Sequence, residues 1–332
     1  MTKSILIVDD SALVRKQLVG LLQDAGYEVD TARNGADAIE KATKKDYDAI
    51  TMDINMPVMD GITALKEIMD KNPTPVVMVS SLTTEDAPVT FDALDLGAVD
   101  FVAKPGTLDV GLNQSEDILT KIRYAARIPK RRLLNRKRAI PERFKDENTK
   151  PAISRNTTGV IKNIVLVGAS TGGPALIEEI CVSLPEDFPF PVCVVQHMPE
   201  KFTAAFATRL NRASKVLVKE SEHNEQILPG IVYIAKGGTH LHFAQKVSGK
   251  IVVRHEESKT KRFFKPSIDE MFLSALEVFD GKEIFSVELT GIGDDGADGM
   301  VAIKKSGGYT IAESEETAVV YGMPKEAFVR GG

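Results

Sequence analysis

The chain has 332 residues, 43% of them hydrophobic, and a net charge of −5, which fits two domains with their own cores and excludes a general polyanion binder. Its only two cysteines, Cys181 and Cys193, argue against a disulfide framework and for a reducing compartment. Because the N-terminus lacks the apolar run of a signal peptide and no apolar stretch could span a bilayer, we expect a cytoplasmic protein without membrane insertion.

The first 123 residues alternate short apolar runs with helical patterns. The apolar runs predict strands at 4–8, 49–52, 76–79 and 101–103. The helical patterns lie at 11–25, 35–44, 61–71 and 86–96. This alternation predicts an α/β fold with a parallel sheet and helices on both faces. In such sheets ligands bind at the carboxyl ends of the strands.

Polar side chains gather at or just past those predicted strand ends. They are Asp9, Asp10, Asp53, Ser80 and Lys104. Packed carboxylates repel one another and persist as a group when a cation such as Mg²⁺ neutralises them. A carboxylate beside Mg²⁺ can attack a phosphoryl donor, and the lysine and serine can then bind the transferred group. Any one of these residues could be a solvated loop-end group, but the ordered set predicts a phosphate-accepting site.

Four segments of this half resemble the receiver domain of two-component response regulators. They are ILIVDDS at 5–11, MDINMPVMDG at 52–61, VSS at 79–81 and DFVAKP at 100–105. The resemblance covers about 1–123 and implies a flavodoxin-like domain with a five-stranded parallel sheet. It implies that a histidine kinase phosphorylates Asp53. It also implies Mg²⁺ binding by Asp10, Asp53 and the backbone carbonyl of Asn55, supported by Asp9. The residues matching the activation switch are Ser80, Phe101 and Lys104.

A basic segment separates the two halves of the chain. Residues 127–150 contain ten Lys or Arg and three Asp or Glu, a local net charge of +7 that leaves −12 for the rest. The segment lacks strand alternation and leads into a Pro-, Asn- and Ser-containing stretch, so 124–160 is predicted to be an interdomain linker. It is either a solvated spacer or a docking strip for an acidic partner. With no helix-turn-helix pattern and no interleaved aromatic residues, we expect no nucleic-acid partner.

The second half, 161–332, again mixes strands and helices. Strands are predicted at 163–167, 191–196, 283–290 and 310–312. Helices are predicted from Pro174, over 202–210, and from Pro266 at position N1 to about Phe279. Runs at 231–234, 240–244 and 251–254 look like antiparallel strands. The pattern predicts a doubly wound, mainly parallel α/β domain with a small antiparallel insertion.

A serine, a histidine and a pair of aspartates follow strands of this half. Ser170 lies in the glycine-rich turn GASTGGP, His197 ends the next strand, and Asp294 and Asp295 follow a later one. Serine needs a base to take its proton, and the base needs an acid to orient it. The pattern therefore predicts a hydrolytic site, with either aspartate as the acid. Backbone N–H groups of the turns can hold an oxyanion; the candidate residues are Thr171, Gly172 and Ile292.

Other readings of these motifs are weaker. The turn GASTGGP could hold a nucleotide phosphate, but its spacing matches neither dinucleotide nor P-loop fingerprints. The loop at 294–299 lacks the ligand spacing of a calcium site. His240 and His242 share a strand face and could bind a metal, but no companion ligands are evident, so structural histidines are favoured.

The second half resembles the catalytic domain of the chemotaxis methylesterases, the CheB family. The resemblance rests on GASTGGP, QHMPEKFT at 196–203, FATRLN at 206–211, VYIA at 232–235 and GMP at 322–324. It implies that Ser170 is the nucleophile, His197 the base and Asp295 the orienting acid. Lys236 and Ile292 depart from the family pattern without touching these three residues.

The two resemblances together imply a phosphorylation-activated hydrolase of chemotaxis adaptation. Its substrates would be methyl-esterified glutamates of chemoreceptors, with methanol released, and particular receptor glutamines, which it would deamidate. Its phosphodonor would be the chemotaxis histidine kinase, with Mg²⁺ needed for receiver phosphorylation and no cofactor for ester hydrolysis. The alternative is a non-catalytic response regulator that acts as a phosphate sink or docking module.

Overall fold

The computed structural model describes residues 2–81, 83, 85–105, 111–130, 133, 161–257 and 264–332, with 111–114 as backbone only. The chain divides into two compact units, Met1–Pro141 and Glu142–Gly332. Most of the predicted linker, 131–132 and 134–160, lies outside the described residues. Within the described part of the chain, every helix is too short or too polar to cross a bilayer.

The first unit is built on a five-stranded parallel sheet. Its strands are β1 (Ser4–Val8), β2 (Glu28–Ala32), β3 (Ala49–Asp53), β4 (Val76–Ser80) and β5 (Asp100–Ala103). Its helices are α1 (Ala12–Asp24), α2 (Gly35–Lys44), α3 (Gly61–Lys71), α4 (Ala87–Asp95) and α5 (Gly111–Ala125). The strand order is β2-β1-β3-β4-β5, with every pair parallel. This confirms the flavodoxin-like fold.

The local sequence explains most element boundaries in this unit. Strands β1, β3 and β4 are buried along their whole length, as their apolar runs predict. Helices α1, α2 and α3 begin where a capping side chain accepts from a backbone N–H; the caps are Ser11, Asn34 and Asp60. Strand β2 was not predicted, because this edge strand is half polar and only its last residue is buried.

The second unit contains a six-stranded parallel sheet and a two-stranded antiparallel hairpin. Its strands are β6 (Ile164–Ala169), β7 (Val192–Gln196), β8 (Leu217–Glu220), β9 (Ile231–Ile234), β10 (His240–Gln245), β11 (Ile251–Glu256), β12 (Ile284–Glu288) and β13 (Tyr309–Ala312). Its helices are α6 (Gly173–Ser183), α7 (Glu200–Ala213), α8 (Ile268–Ala275), α9 (Ala297–Lys305) and α10 (Met323–Val329). The sheet order is β13-β12-β6-β7-β9-β8. The mainly parallel α/β domain with a small antiparallel insertion is confirmed.

Three details of this unit differ from the sequence predictions. Strand β9 was predicted to be antiparallel, but it pairs in parallel with β7 and β8. Its four residues are all buried, as expected for a strand covered on both faces. Strand β8 was missed because it is a short, half-buried edge. Helix α8 begins at Ile268 rather than at Pro266, because the Ser267 side chain accepts from the Glu270 N–H and caps it.

One core joins the inner sheet strands of the second unit to the hairpin and to helices α8, α9 and α10. Strands β6, β7, β9 and β12 contribute its sheet side, and β10 and β11 contribute the hairpin side. Helix α8 therefore packs between the hairpin and the sheet, with its N-terminus near the carboxyl ends of the strands. This placement brings the segment before α8 to the candidate hydrolytic site.

Candidate active site

Three carboxylates converge at the carboxyl ends of β1 and β3 in the first unit. Asp9, Asp10 and Asp53 each offer an oxygen atom, and these atoms lie within 4.8 Å of one another. Asp9 and Asp53 are buried, whereas Asp10 is exposed. The Asp9 side chain also accepts a 2.8 Å hydrogen bond from the Ser11 N–H. The predicted acidic cluster is thus assembled by the fold.

Lys104 is the cation that faces this cluster. Its Nζ lies 2.7 Å from Asp53 Oδ2 and 3.4 Å from Asp9 Oδ2. Burial, together with the charge of Asp9, raises the pKa of Asp53 to about 6 against the opposing effect of Lys104. Burial also raises the pKa of Asp9. One lysine therefore does not offset three crowded carboxylates, and the oxygen donors suit a divalent cation.

The surroundings of Asp53 explain why residue 61 is a glycine. A Cβ atom on Gly61 would lie 1.9 Å from the Asp53 carbonyl oxygen, so only glycine fits there. The backbone of Asn55 hydrogen-bonds to the Asp53 carboxylate. The switch candidates Ser80 and Phe101 are buried, and the backbone N–H of Lys104 donates to the Ser80 carbonyl at 2.8 Å.

In the second unit, three neighbouring strands place the serine, the histidine and the aspartates at one edge of the sheet. Ser170 follows β6 and His197 follows β7, while Asp295 lies in the turn after β12. Strand β6 pairs with both β7 and β12. Backbone bonds fix the first two positions: the His197 N–H donates to the Ala169 carbonyl and the Ser170 N–H to the Thr290 carbonyl, each at 3.0 Å.

His197 and Asp295 form a buried pair. Nε2 of His197 lies 2.8 Å from Oδ2 of Asp295, and the two side chains are 4% and 10% exposed. Three further donors reach the same carboxylate: the Ser267 hydroxyl at 2.7 Å, the Ile268 N–H at 2.7 Å and the Asp269 N–H at 3.2 Å. Burial alone would raise the pKa of Asp295, but His197, Ser267 and Ile268 lower it to about 2. Asp295 is therefore ionised at neutral pH.

The neighbouring Asp294 has a different environment. Its side chain is 62% exposed and its Oδ2 lies 2.5 Å from the Arg330 guanidinium. Asp298 binds the same arginine at 2.9 Å. The structure thus brings Asp295, and not Asp294, to His197, which the sequence alone could not decide. These surface pairs also account for the acidic residues of the loop that faintly resembles a calcium site.

The protonation of His197 follows from its partner. An ionised carboxylate only accepts hydrogen bonds, so Nε2 carries the proton that Asp295 binds. The other ring nitrogen, Nδ1, is buried and has no hydrogen-bond partner among the described residues. This nitrogen is therefore the one that can accept a proton from a nucleophile. In this geometry Nε2 faces the acid and Nδ1 is the basic atom.

Ser170 lies on a tight turn that begins α6. Ser170 and Thr171 are both nearly buried, and Gly172 has φ +81°, which favours glycine. A Cβ atom on Gly291 would lie 2.8 Å from Ser170 Cβ, so the Gly291–Ile292 turn passes directly beside the serine. Both turns named as oxyanion candidates thus border Ser170. The glycines are evident in the sequence, but this close approach is not.

Gln196 links the serine and the histidine through their backbones, a role that was not predicted. Its buried Nε2 donates to the Ser170 carbonyl at 2.9 Å and to the His197 carbonyl at 3.1 Å. A Cβ atom on Gly173 would lie 2.2 Å from Gln196 Oε1, which explains a glycine at the start of α6. The only sequence signal was the position of this glutamine directly before His197.

The two histidines considered as a metal pair have other partners. His240 Nδ1 accepts from the Ser267 N–H at 3.1 Å, and burial lowers the pKa of His240. His242 lies 3.0 Å from Glu270 and 3.4 Å from Glu256. Among the residues described, the single cluster with metal-ligand spacing is the one at Asp9, Asp10 and Asp53. The structural reading of these histidines is therefore favoured.

Glu288 is a buried acid next to the Asp295 turn and was not predicted as a site residue. It is fully buried, and neither carboxylate oxygen has a hydrogen-bond partner in the described part of the chain. A Cβ atom on Gly296 would lie 2.3 Å from its Oε2. Burial raises the pKa of Glu288 well above its ordinary value, and Asp295 and Asp269 raise it further. Glu288 therefore stays a neutral carboxylic acid at pH values at which other glutamates are already ionised.

Replacing Glu288 by glutamine should remove a pH-dependent loss of stability. Because the pKa of Glu288 is higher in the folded than in the unfolded state, the free energy of unfolding falls as pH rises above about 4.3, the ordinary glutamate pKa. Denaturant unfolding at pH 5 and pH 8 measures this effect. The stability of the variant relative to the wild type should be higher at pH 8 than at pH 5. If the free energies of unfolding of variant and wild type differ by the same amount at both pH values, Glu288 is ionised in the folded protein at both.

Two models of known protein families match different parts of the chain. A model described as "CheB methylesterase" matches residues 165–332, and one described as "Response regulator receiver domain" matches 5–114. A protein-glutamate methylesterase/protein-glutamine glutaminase of Caldanaerobacter subterraneus is 48% identical, covering 99% of this chain and 91% of that protein. One from Carboxydothermus hydrogenoformans is 50% identical, with coverages of 99% and 93%.

A solved structure extends the comparison to three dimensions. The Thermotoga maritima CheB methylesterase catalytic domain is 41% identical and superimposes with a TM-score of 0.50, over 52% of this chain and 90% of that one. The two family models match successive parts of this chain, and the two relatives align along 99% of it. The chain therefore belongs to the CheB methylesterase family, the protein-glutamate methylesterases/protein-glutamine glutaminases that carry a receiver domain.

Proposed function

We propose that this chain hydrolyses glutamate methyl esters on chemoreceptors with Ser170 as nucleophile, His197 as base and Asp295 as orienting acid. The observation that carries the proposal is the buried His197–Asp295 pair at 2.8 Å, on strands that flank the one bearing Ser170. The alternative of a non-catalytic regulator has no comparable support, because all three groups are present and the base and acid are in contact.

The geometry supports a two-step reaction. Ser170 Oγ attacks the ester carbonyl while His197 Nδ1 takes its proton, and Asp295 stabilises the resulting imidazolium through Nε2. The imidazolium then returns the proton to the leaving methoxide, which departs as methanol and leaves a glutamyl ester on Ser170. Water, deprotonated by the same nitrogen, hydrolyses that ester and restores the serine. Backbone N–H groups of the Thr171–Gly172 turn and of Ile292 would bind the oxyanion.

The same groups support deamidation of receptor glutamines. The acyl part of a glutamine side chain has the shape of the glutamyl methyl ester, and only the leaving group differs. His197 would protonate a leaving amine instead of methoxide, so ammonia would be released and glutamate formed. No separate site is needed, and the chain itself supplies every group that moves a proton.

The acidic cluster of the first unit fits the magnesium site of a receiver. Asp10, Asp53 and the backbone carbonyl of Asn55 would hold the ion, with Asp9 in support, and the bound Mg²⁺ would offset the charge of an incoming phosphoryl group. Asp53 is the proposed phosphate acceptor from the chemotaxis histidine kinase. Lys104, already 2.7 Å from Asp53, would pair with the phosphoryl group, and Ser80 and Phe101 would reposition on activation. Ester hydrolysis itself would use no cofactor.

The wider setting follows from this function. We place the reaction in the cytoplasm, on the cytoplasmic helices of the receptors, without nucleic acid or membrane insertion. We assign 1–123 to the receiver, 124–160 to the linker and 161–332 to the esterase. In the structure α5 ends at Ala125, two residues beyond that first limit.

Replacing Asp53 by alanine should leave the full-length enzyme unresponsive to a phosphodonor. The variant lacks the buried carboxylate that accepts the phosphoryl group, while the esterase residues lie in the other compact unit and stay intact. Methanol release from methylated receptor membranes, with and without a small-molecule phosphodonor, measures the response. Asp48→Ala, which removes a partly exposed carboxylate of the same unit, is the matched control and should respond normally. Full activation of the Asp53 variant by the phosphodonor would show that activation does not depend on phosphorylation of Asp53.

A further inference from the structure

One short segment contacts both the base and the acid of the candidate triad. The Phe264 ring stacks on the His197 imidazole with 3.9 Å between centroids and 11° between planes. Three residues later, the Ser267 hydroxyl donates to Asp295 Oδ1 at 2.7 Å. The segment then enters α8, whose first N–H groups bind the same carboxylate. None of these residues belongs to the three that carry the proposed reaction.

We propose that Phe264 and Ser267 are positioning residues for ester hydrolysis, Phe264 by fixing the plane of the His197 ring and Ser267 by fixing the Asp295 carboxylate. This inference rests on the proposed function of Ser170, His197 and Asp295. It deepens that function by adding a segment that holds His197 and Asp295 in a fixed relative position.

The stacked ring supplies a constraint that the hydrogen bond to Asp295 does not. One bond at Nε2 fixes that atom, but the imidazole can still tilt about the bond. A flat ring at 3.9 Å restricts the tilt and therefore the direction in which Nδ1 points. Phe264 also covers one face of a side chain that is only 4% exposed. An aromatic face further stabilises the imidazolium formed when Ser170 loses its proton.

Ser267 fixes the other end of the pair. Its backbone N–H donates to Nδ1 of the buried His240 at 3.1 Å, so the turn has a second attachment besides Asp295. The Ser267 hydroxyl and the Asp269 N–H bind Oδ1, while His197 and the Ile268 N–H bind Oδ2. Each carboxylate oxygen thus has two donors, and the plane of the carboxylate is fixed. Removing the Ser267 hydroxyl leaves Oδ1 with one donor, the Asp269 N–H.

The first test is Phe264→Leu, which keeps an apolar cover but removes the flat ring. We expect kcat for methanol release from methylated receptor membranes to fall about tenfold, the upper range for loss of an aromatic contact, with KM within about twofold. Phe264→Tyr should keep both kcat and KM within about twofold of wild type. Phe328→Leu, the same change at a 72% exposed position, is the control and should have no effect. If Phe264→Leu does not fold, Phe264→Met serves in its place.

The second test is Ser267→Ala against Ser267→Thr. Alanine should lower kcat about tenfold with KM unchanged, and threonine, which restores a hydroxyl, should recover most of the loss. Ser183→Ala removes a hydroxyl that bonds only a helix carbonyl and is the control. A change confined to KM would overturn the inference, because these residues would then contact substrate. So would wild-type kcat in folded Phe264→Leu and Ser267→Ala, or a failure of threonine to restore activity.

Ser170→Ala separates this inference from the proposed function. If that variant retains wild-type activity, the triad itself is wrong. If it is inactive while Phe264→Leu and Ser267→Ala turn over normally, the triad stands and only the positioning role fails.

Discussion

Replacing Ser170 by alanine should abolish ester hydrolysis while leaving phosphorylation of Asp53 intact. Ser170 lies on the tight turn after β6, beside the Gly291–Ile292 turn, and its carbonyl accepts a hydrogen bond from Gln196. The nucleophile is the atom on which both steps of the proposed reaction depend. Loss of such a nucleophile costs on the order of 10⁶ in kcat in a well-studied serine hydrolase. Initial rates of methanol release from methylated receptors measure the effect.

The control for this prediction is phosphorylation of the receiver. Asp53 belongs to the other compact unit, so a phosphodonor should modify the Ser170 variant to the same extent as wild type. Methanol release within tenfold of wild type from a fully phosphorylated, folded variant would show that another group attacks the ester.

Changing Asp295 to asparagine should reduce turnover far more than the same change at Asp294. Asp295 accepts from His197 and from three further donors, and its pKa near 2 keeps it charged at neutral pH. Asparagine cannot stabilise the imidazolium and favours the wrong histidine tautomer, a change that costs roughly 10⁴ in kcat in a well-known serine protease. Asp294 instead pairs with Arg330 at the surface, so its replacement should have a small effect.

Steady-state kinetics of the two variants, side by side, give the measurement. Because the substitutions are identical and the positions adjacent, Asp294→Asn controls for any general disturbance of the turn. Equal and mild losses in both variants would mean that the acid that orients His197 lies elsewhere.

Much of the candidate site could be predicted because parallel α/β sheets expose the carboxyl ends of their strands at one edge. Ser170, His197 and Asp295 each follow an apolar run, and so do Asp9 and Asp53. The choice between Asp294 and Asp295 could not be made in the same way, because both follow the same strand. It depends on which side of a turn faces His197, and Arg330, far along the chain, binds the other one.

The predictions that failed concern partners distant in sequence. Nothing in a buried run such as 231–234 distinguishes a parallel from an antiparallel neighbour, so β9 was assigned to the wrong sheet. The half-polar edges β2 and β8 carried too little apolar signal to be predicted. No sequence motif pointed to Phe264, and only the fold shows its ring on His197.

Covalent labelling of the full-length protein tests the central claim most directly. A serine-reactive fluorophosphonate should form one adduct on the wild type, at Ser170 by peptide mass spectrometry, and the adduct should block methanol release. Labelling should be lost in Ser170→Ala and much slower in Asp295→Asn, because His197 then no longer activates the serine. An adduct on a different residue, or a folded wild type that hydrolyses receptor esters yet is never labelled at Ser170, would contradict the account.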